Sequence, residues 1–398
     1  MRILISIHHA LDLDTGAPGV TLRLADALRG RGHAVDILSF DRVPLPPRFR
    51  GYVYPWFVAW FVATHPRYDV LDLSSGDGWV LSLVPALFRA SIPVIAARSH
   101  GLEHIAHDAR LAARRFGEEK LSWKYPFYHG GYRLWECATS FSHAHVALFL
   151  NDVDRTYAVE RLGVAPHRAV LVKNGIANCF VHNARRLLAQ EPPLDAPRHI
   201  AFIGRYTEMK GRAELRLAMR ALLSEYAGLT LGLFGTVADA DAVLADYPCE
   251  LRERICVVPT FKNDELPRLL ASYDIFAFPS RSEGFAVAPL EAMACGLVPV
   301  VTATPGPMSY IENGRNGIVV PLRDAETLRK AIASLLDDPP RWRELRANAV
   351  ATACGYSWDG VAAEIEEMYA GFAARRESKA RSGDAPCSEI TPHRPSVR

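Results

Sequence analysis

DIFAFPSRSEGFAVAPLEAMACGLVPVVT, residues 274–302, carries two apolar runs, DIFAF and VPVVT, separated by a stretch of helical period. The first run reads as a strand closed by Pro279, with Glu283-Gly284-Phe285 in the loop behind it. A helix from about Val287 to Cys295 follows, and the second run, rich in valine, is another strand. Two strands joined through a helix have the pattern of a βαβ unit, the crossover that neighbouring parallel strands need. Working outward, HIAFIGR (199–205), LTLGLF (229–234), ICVVP (255–259) and GIVVP (317–321) extend the same series on both sides. The first half repeats it with ILISI (3–7), AVDILSF (34–40), DVLDL (69–73), PVIAA (93–97), HVALF (145–149) and VLVKNG (170–175). After ILISI, VTLRLADALRGRG (20–32) shows Leu22, Ala25 and Leu28 at helical spacing, with Gly32 as its stop.

Strands alternating with helices predict an α/β protein with parallel sheets, and 398 residues exceed one ordinary core. The break falls at RRLLAQEPPLDAPR (185–198), which holds three prolines. The expected organisation is a first domain over 1–184, this linker, and a second domain over 199–355. A closing helix over 356–374, expected to cross back to the first domain, follows, and then a tail over 375–398 without apolar period, expected to be disordered. Doubly wound domains bind ligands beyond the C-terminal ends of their strands, so the site is expected in a cleft between the two.

Composition excludes several classes. Hydrophobic residues at 49% and charged residues at 23% fit a globular protein. The seven cysteines have no Cys-x-x-Cys spacing, which argues against a zinc ribbon or a disulfide framework and for a reducing, cytoplasmic setting. MRILISIHHALDLD meets a charge and a turn too soon for a signal peptide. The longest apolar run, VYPWFVAWFVA (53–63), is shorter than the ~20 residues of a membrane span and reads as a buried core segment, with contact to a membrane surface as the alternative. Net charge is +2, split as +6 over residues 1–190 and −4 over 191–398, so the first half is the one suited to an anionic partner. Nothing points to nucleic acid.

The chemistry concentrates at strand ends. Gly284 permits close backbone approach, and the helix start at Val287 offers free N–H groups and a positive dipole end, a seat for a diphosphate. Glu283 and Glu291 are suited to accept hydrogen bonds from sugar hydroxyls; taken alone, such a pair is more often a helix cap and a surface charge. GRYTEMKGRAEL (204–215) places Arg205 and Lys210 near another helix start, where two cations neutralise a diphosphate without a metal. Gly16 and Gly19 read as a tight turn after the first strand, and His100 stands at the end of PVIAARS. His104 and His107, with Glu103 beside them, have a spacing compatible with a metal, but no third ligand is evident, and no metal is expected. Arg110, Arg114, Arg115, Lys120, Lys124 and Arg133 interleave with Trp123, Tyr125, Phe127 and Tyr128 in 110–133. That mixture suits an anionic membrane surface or a lipid-linked acceptor, or else a solvated helix whose aromatics pack inward.

EGFAVAPLEAMACGLVPVV closely resembles the signature of retaining family 4 glycosyltransferases of the GT-B fold, two Rossmann-like doubly wound domains facing a central cleft. Gly204-Arg205 followed by Lys210-Gly211 resembles the phosphate clamp of the same family. The resemblance runs loosely through the first half and strongly through the second. It implies Glu283 at the donor sugar and the backbone of Phe285, Ala286 and Val287 at sugar and phosphates. It implies Glu291 at the ribose, Thr260 and Phe261 at the base, His100 at the donor sugar, and Gly16 and Gly19 facing the diphosphate or acceptor. Ala286 departs from a frequent glycine and Ser309 from a frequent glutamate. The implied activity is hexosyl transfer from a UDP- or GDP-sugar with retention and without a metal. A glycan or lipid-linked acceptor and weak peripheral contact at the inner membrane face fit the same resemblance. The rivals are a sugar-nucleotide epimerase of the same fold and a non-catalytic sugar-nucleotide-binding protein. A dinucleotide enzyme is disfavoured, since Gly-x-Gly-x-x-Gly does not follow the first strand.

Overall fold

The computed structural model describes residues 1–13, 16–65, 67–83, 94–117, 120–191 and 195–382. Two six-stranded sheets form, and every strand pair is parallel. The first contains β1 (Arg2–Ile7), β2 (Ala34–Ser39), β3 (Val70–Ser74), β4 (Val94–Arg98), β5 (Val146–Phe149) and β6 (Ala169–Leu171), in the order β2-β1-β3-β4-β5-β6. The second contains β7 (His199–Ile203), β8 (Thr230–Phe234), β9 (Ile255–Val258), β10 (Ile275–Phe278), β11 (Val298–Thr302) and β12 (Ile318–Val320). Its order, β12-β11-β10-β7-β8-β9, reverses direction between β7 and β10. Such a reversal opens a crevice at the carboxyl ends of the two strands.

Both faces of each sheet are covered, so the strands read as continuous apolar runs. Successive residues enter opposite cores: Ile3 and Ile5 face one cluster and Leu4 another, while Phe276 and Phe278 face the first and Ile275 and Ala277 a third. The shared cluster runs from β1 through helix Asn178–Leu188 into β10, making one apolar interior across both sheets.

Several elements differ from expectation. Gly16 and Gly19 lie within helix Gly16–Gly30 rather than in a turn, and the helix buries Leu24 with Ala25 and Leu28 instead of Leu22. Pro18 lacks an N–H that an early helical position would leave unused, and an added Cβ on Gly19 would lie 2.5 Å from the Leu13 carbonyl oxygen. Gly32, at φ +87°, ends the helix as expected. Helix Asn178–Leu188 enters the expected linker and packs on the second domain, with the Asn183 side-chain amide donating to the Ala294 carbonyl at 2.9 Å. The chain passes between domains at Ile176, whose N–H donates to the Tyr356 carbonyl at 2.8 Å. The closing helix spans Trp358–Ser382, longer than expected, and residues 383–398 of the expected tail lie outside the described residues.

That helix returns to the first sheet. The Tyr369 hydroxyl donates to Asp72 Oδ2 at 2.5 Å, and Arg98 Nη2 donates to the same carboxylate at 2.7 Å. All three side chains are buried. The apolar run 53–63 belongs to helix Pro47–Thr64, which buries Tyr54 and Val58 but leaves Trp56 and Trp60 in solvent; it is not simply a core segment. Among the described residues no helix is long and apolar enough to cross a membrane.

Candidate functional site

Four loops at the carboxyl ends of β7, β8, β9 and β10 converge on the reversal point of the second sheet. After β7, Gly204 adopts φ +145° and Arg205 extends into solvent. Lys210 closes a short 3-10 turn, Glu208–Lys210, and Gly211 begins helix Arg212–Glu225 at φ +77°. An added Cβ on Gly211 would collide with the Pro279 carbonyl oxygen, so only glycine lets the loop after β7 press on the loop after β10. The Arg281 N–H donates to the Met209 carbonyl at 2.9 Å, and the Arg281 guanidinium pairs with buried Glu214 at 2.7 Å. These contacts fasten the two loops together.

The fastening brings Lys210 and Glu283 into contact. Lys210 Nζ donates to Glu283 Oε1 at 2.5 Å, and the Ser280 hydroxyl donates to the same oxygen at 2.6 Å. The ammonium also lies 5.6 Å from the centre of the Phe278 ring. Lys210 and Glu283 are thus one ion pair across the reversal point, while the Arg205 guanidinium stays exposed nearby.

Past Glu283 the backbone is held from both domains. The Asn151 side-chain amide, after β5, donates to the Gly284 carbonyl at 2.7 Å. An added Cβ on Gly284 would sit 2.5 Å from Gly101 Cα and 2.8 Å from the His100 carbonyl oxygen, so the domains meet there backbone to backbone. Phe285 is buried against Tyr310, with ring centres 5.4 Å apart. Ala286 adopts φ +63°, and the Tyr310 hydroxyl donates to its carbonyl at 2.5 Å. This departure from the frequent glycine therefore carries backbone strain of about 1–2 kcal/mol. Helix Val287–Ala294 starts immediately after it, its first N–H groups directed at the loops.

Glu291 is no surface charge. It is buried, and the Asn263 side-chain amide donates to its Oε1 at 3.0 Å. Burial pushes its pKa above the usual carboxylate range, opposed by the Asn263 hydrogen bond and by Arg23. Arg23, on the first-domain helix Gly16–Gly30, donates to Asn263 Oδ1 at 2.8 Å. Gly19 lies one turn before Arg23, whereas Gly16 faces open space, with nothing within 4 Å of an added Cβ. After β9, Thr260 is exposed and Phe261 lies against Gly235, 3.0 Å from the position of an added Cβ there.

His100, half-buried at the end of β4, faces the same loops; burial and the Arg98 guanidinium depress its pKa to about 4. The structure therefore brings Arg205, Lys210, Glu283 to Val287, Glu291 and Phe261 to the second-domain side of one cleft, with Thr260 at the rim, and sets His100 on the first-domain side facing them. Sequence reasoning missed Asn151, Asn263, Arg23 and Ser280. Asn151 had a visible signal, since Asn-Asp-Val-Asp is a helix start and its side chain does cap Asp154 at 2.8 Å. His107 is occupied by the Tyr125 hydroxyl, 3.0 Å from its Nδ1, and the described residues include no cluster of three metal-ligating side chains. In 110–133, Tyr125 is buried while Trp123 and Phe127 are exposed, so the aromatics pack only partly inward.

Residues 184–353 match the family described as glycosyl transferases group 1. A D-inositol 3-phosphate glycosyltransferase of Thermobispora bispora is 28% identical over 225 residues, covering 53% of this chain and 52% of that one. The chain spans about half the length of such curated relatives. Among solved structures, sucrose-phosphate synthase from Thermosynechococcus elongatus superposes with a TM-score of 0.71 at 20% identity, covering 94% of this chain and 99% of the other. Anabaena HepE in complex with UDP superposes with a TM-score of 0.66 at 18% identity, covering 93% and 100%. Two parallel six-stranded sheets and these neighbours show that the chain has the GT-B fold, and its residues 184–353 match the glycosyl transferases group 1 family.

Proposed function

We propose that the chain transfers a sugar from a nucleoside diphosphate, UDP or GDP, to an acceptor hydroxyl with retention of configuration and without a metal. The observation that carries this reading is the Lys210–Glu283 ion pair at the reversal point, with Arg205 beside it and the start of helix Val287–Ala294 facing it. The diphosphate occupies the field of Lys210, Arg205 and the helix N–H groups, which together supply the charge compensation a cation would otherwise give. Glu283 then exchanges Lys210 for sugar hydroxyls, and buried Glu291 accepts from the ribose. Phe261 is offered to the base. His100, neutral at physiological pH, can donate to or accept from a sugar hydroxyl. The bond from the anomeric carbon to the diphosphate oxygen breaks, and a bond to the acceptor oxygen forms on the same face. The acceptor proton passes to the departing phosphate oxygen, so no side chain need act as base. The acceptor is a glycan or a lipid-linked hydroxyl presented from the first domain.

The test is Lys210→Ala. Without its ammonium the leaving diphosphate loses one charge-stabilising contact, and nucleotide release coupled to acceptor glycosylation should fall by ~10²–10³. Thermal unfolding should change little, because the lysine is partly exposed. Full activity in the variant would remove Lys210 from the reaction. Conversion of donor sugar without any acceptor would point to an epimerase instead.

A further inference from the structure

Helix Pro47–Thr64 turns one side to the first-domain core and leaves a row of aromatic rings in water. Phe49, Tyr52, Trp56 and Trp60 recur at intervals of three and four, so they share one helical face; the tryptophans are 54% and 55% exposed. The row does not end with the helix. Tyr52 lies tilted against Tyr128 at 4.4 Å between ring centres, and Trp56 meets the edge of Trp79 at 5.3 Å, which in turn meets Trp135 at 4.9 Å. In the segment that leads into Tyr128, Trp123 is 75% exposed and Phe127 71%, their rings 6.3 Å apart. Isolated exposed aromatics are ordinary, but a joined group of this kind marks an interaction surface.

Its charge selects the occupant. Residues 42–68 contain Arg42, Arg48, Arg50 and Arg67 and no carboxylate. The Arg48 guanidinium lies 4.8 Å from the Phe49 ring and Lys124 Nζ 5.4 Å from the Trp123 ring, so cations stand directly beside exposed rings. Tryptophan and tyrosine favour the headgroup level of a bilayer, and basic side chains next to them favour anionic lipid. We propose that this face is a docking surface for an anionic bilayer, with helix Pro47–Thr64 lying in the headgroup plane. The helix is too short and too one-sided to cross.

The surface also borders the cleft. An added Cβ on Gly51 would lie 2.6 Å from the Tyr128 hydroxyl and 3.7 Å from His8 Nε2, and His8 directly follows β1 at the carboxyl edge of the first sheet. A docked protein therefore presents the first-domain side of its cleft to the headgroups, and the acceptor class is a hydroxyl on a membrane-held amphiphile. That last step rests on the glycosyl-transfer reading; the docking surface does not.

The test is sedimentation of the full chain with vesicles of phosphatidylcholine alone and of phosphatidylcholine mixed with phosphatidylglycerol, across a salt series. The expected result is binding to the mixed vesicles only, weakened by salt, with tryptophan emission shifted to the blue. Trp56→Ser with Trp60→Ser should lower partitioning about tenfold or more, and Arg48→Glu with Lys124→Glu should abolish the preference for phosphatidylglycerol. Circular dichroism melts and UDP calorimetry on the same variants should match the parent. Binding to neither vesicle, equal binding to both, or wild-type partitioning of the tryptophan variant would overturn the proposal. UDP binding without vesicle binding defeats the surface alone, whereas vesicle binding without sugar transfer defeats the functional reading alone.

Discussion

At neutral pH the His100 imidazole carries no charge, because burial and the Arg98 guanidinium hold its pKa near 4, below the usual 6.5. Between those values the unfolded chain binds a proton at this position that the folded chain refuses, so the histidine lowers stability as pH falls from 6.5 toward 4. Glu136, raised to about 7, and Asp154, raised to about 6, act with the opposite sign in an overlapping window, both through burial. The effect of His100 is therefore visible as a difference. His100→Asn should be less acid-sensitive than the parent from pH 6.5 to 4 in denaturant midpoints, and parallel curves would show that the imidazole titrates freely. At this scale Lys210 and Glu283 were noticed because the runs that hold them resemble a family signature; taken alone, their spacing reads as a helix cap and surface charge. Asn263 and Arg23 were not, because they meet across 240 residues of chain, and the helical period around Arg23 does not show what its side chain reaches. Ala286 was noticed for its size, yet its positive φ is a property of the folded loop.

Strand positions could be read almost directly, because strands buried on both faces leave unbroken apolar runs, and each run quoted in the two strand series overlaps a strand, whereas the longest apolar run, 53–63, is helical. Helix starts were harder. Gly16-Ala-Pro-Gly19 has the composition of a turn, and only the tight approach of Gly19 to the Leu13 carbonyl explains a glycine inside a helix. The closing helix was expected to cross back to the first domain, but the side chains that anchor it were not legible. Its Tyr369 completes a buried group with Asp72 on β3 and Arg98 on β4, fixing it to the first sheet. Asp72→Ala would leave the Arg98 guanidinium buried without its carboxylate, at a cost of about 3–5 kcal/mol. Urea unfolding followed by circular dichroism should register that loss; a change below about 1 kcal/mol would mean that water or another group reaches Arg98. Asp72→Asn, which keeps an acceptor, should be milder.

The two sheets share one apolar interior through helix Asn178–Leu188 and the closing helix, and they touch again where Gly284 meets Gly101. Sequence anticipated two domains and a cleft, but not how closely its walls approach, since that depends on glycines 183 positions apart. The Gly101–Gly284 contact has a consequence for molecular size. With a hydrogen in place of a side chain on each partner, the separation of the walls has no slack, and one methyl group acts as a spacer. Gly284→Ala should hold the domains apart and raise the radius of gyration measured by X-ray scattering in solution. Adding UDP should contract neither protein, because the parent is already drawn together and the methyl group still separates the walls of the variant. An unchanged scattering curve would mean that the loop yields before the domains do.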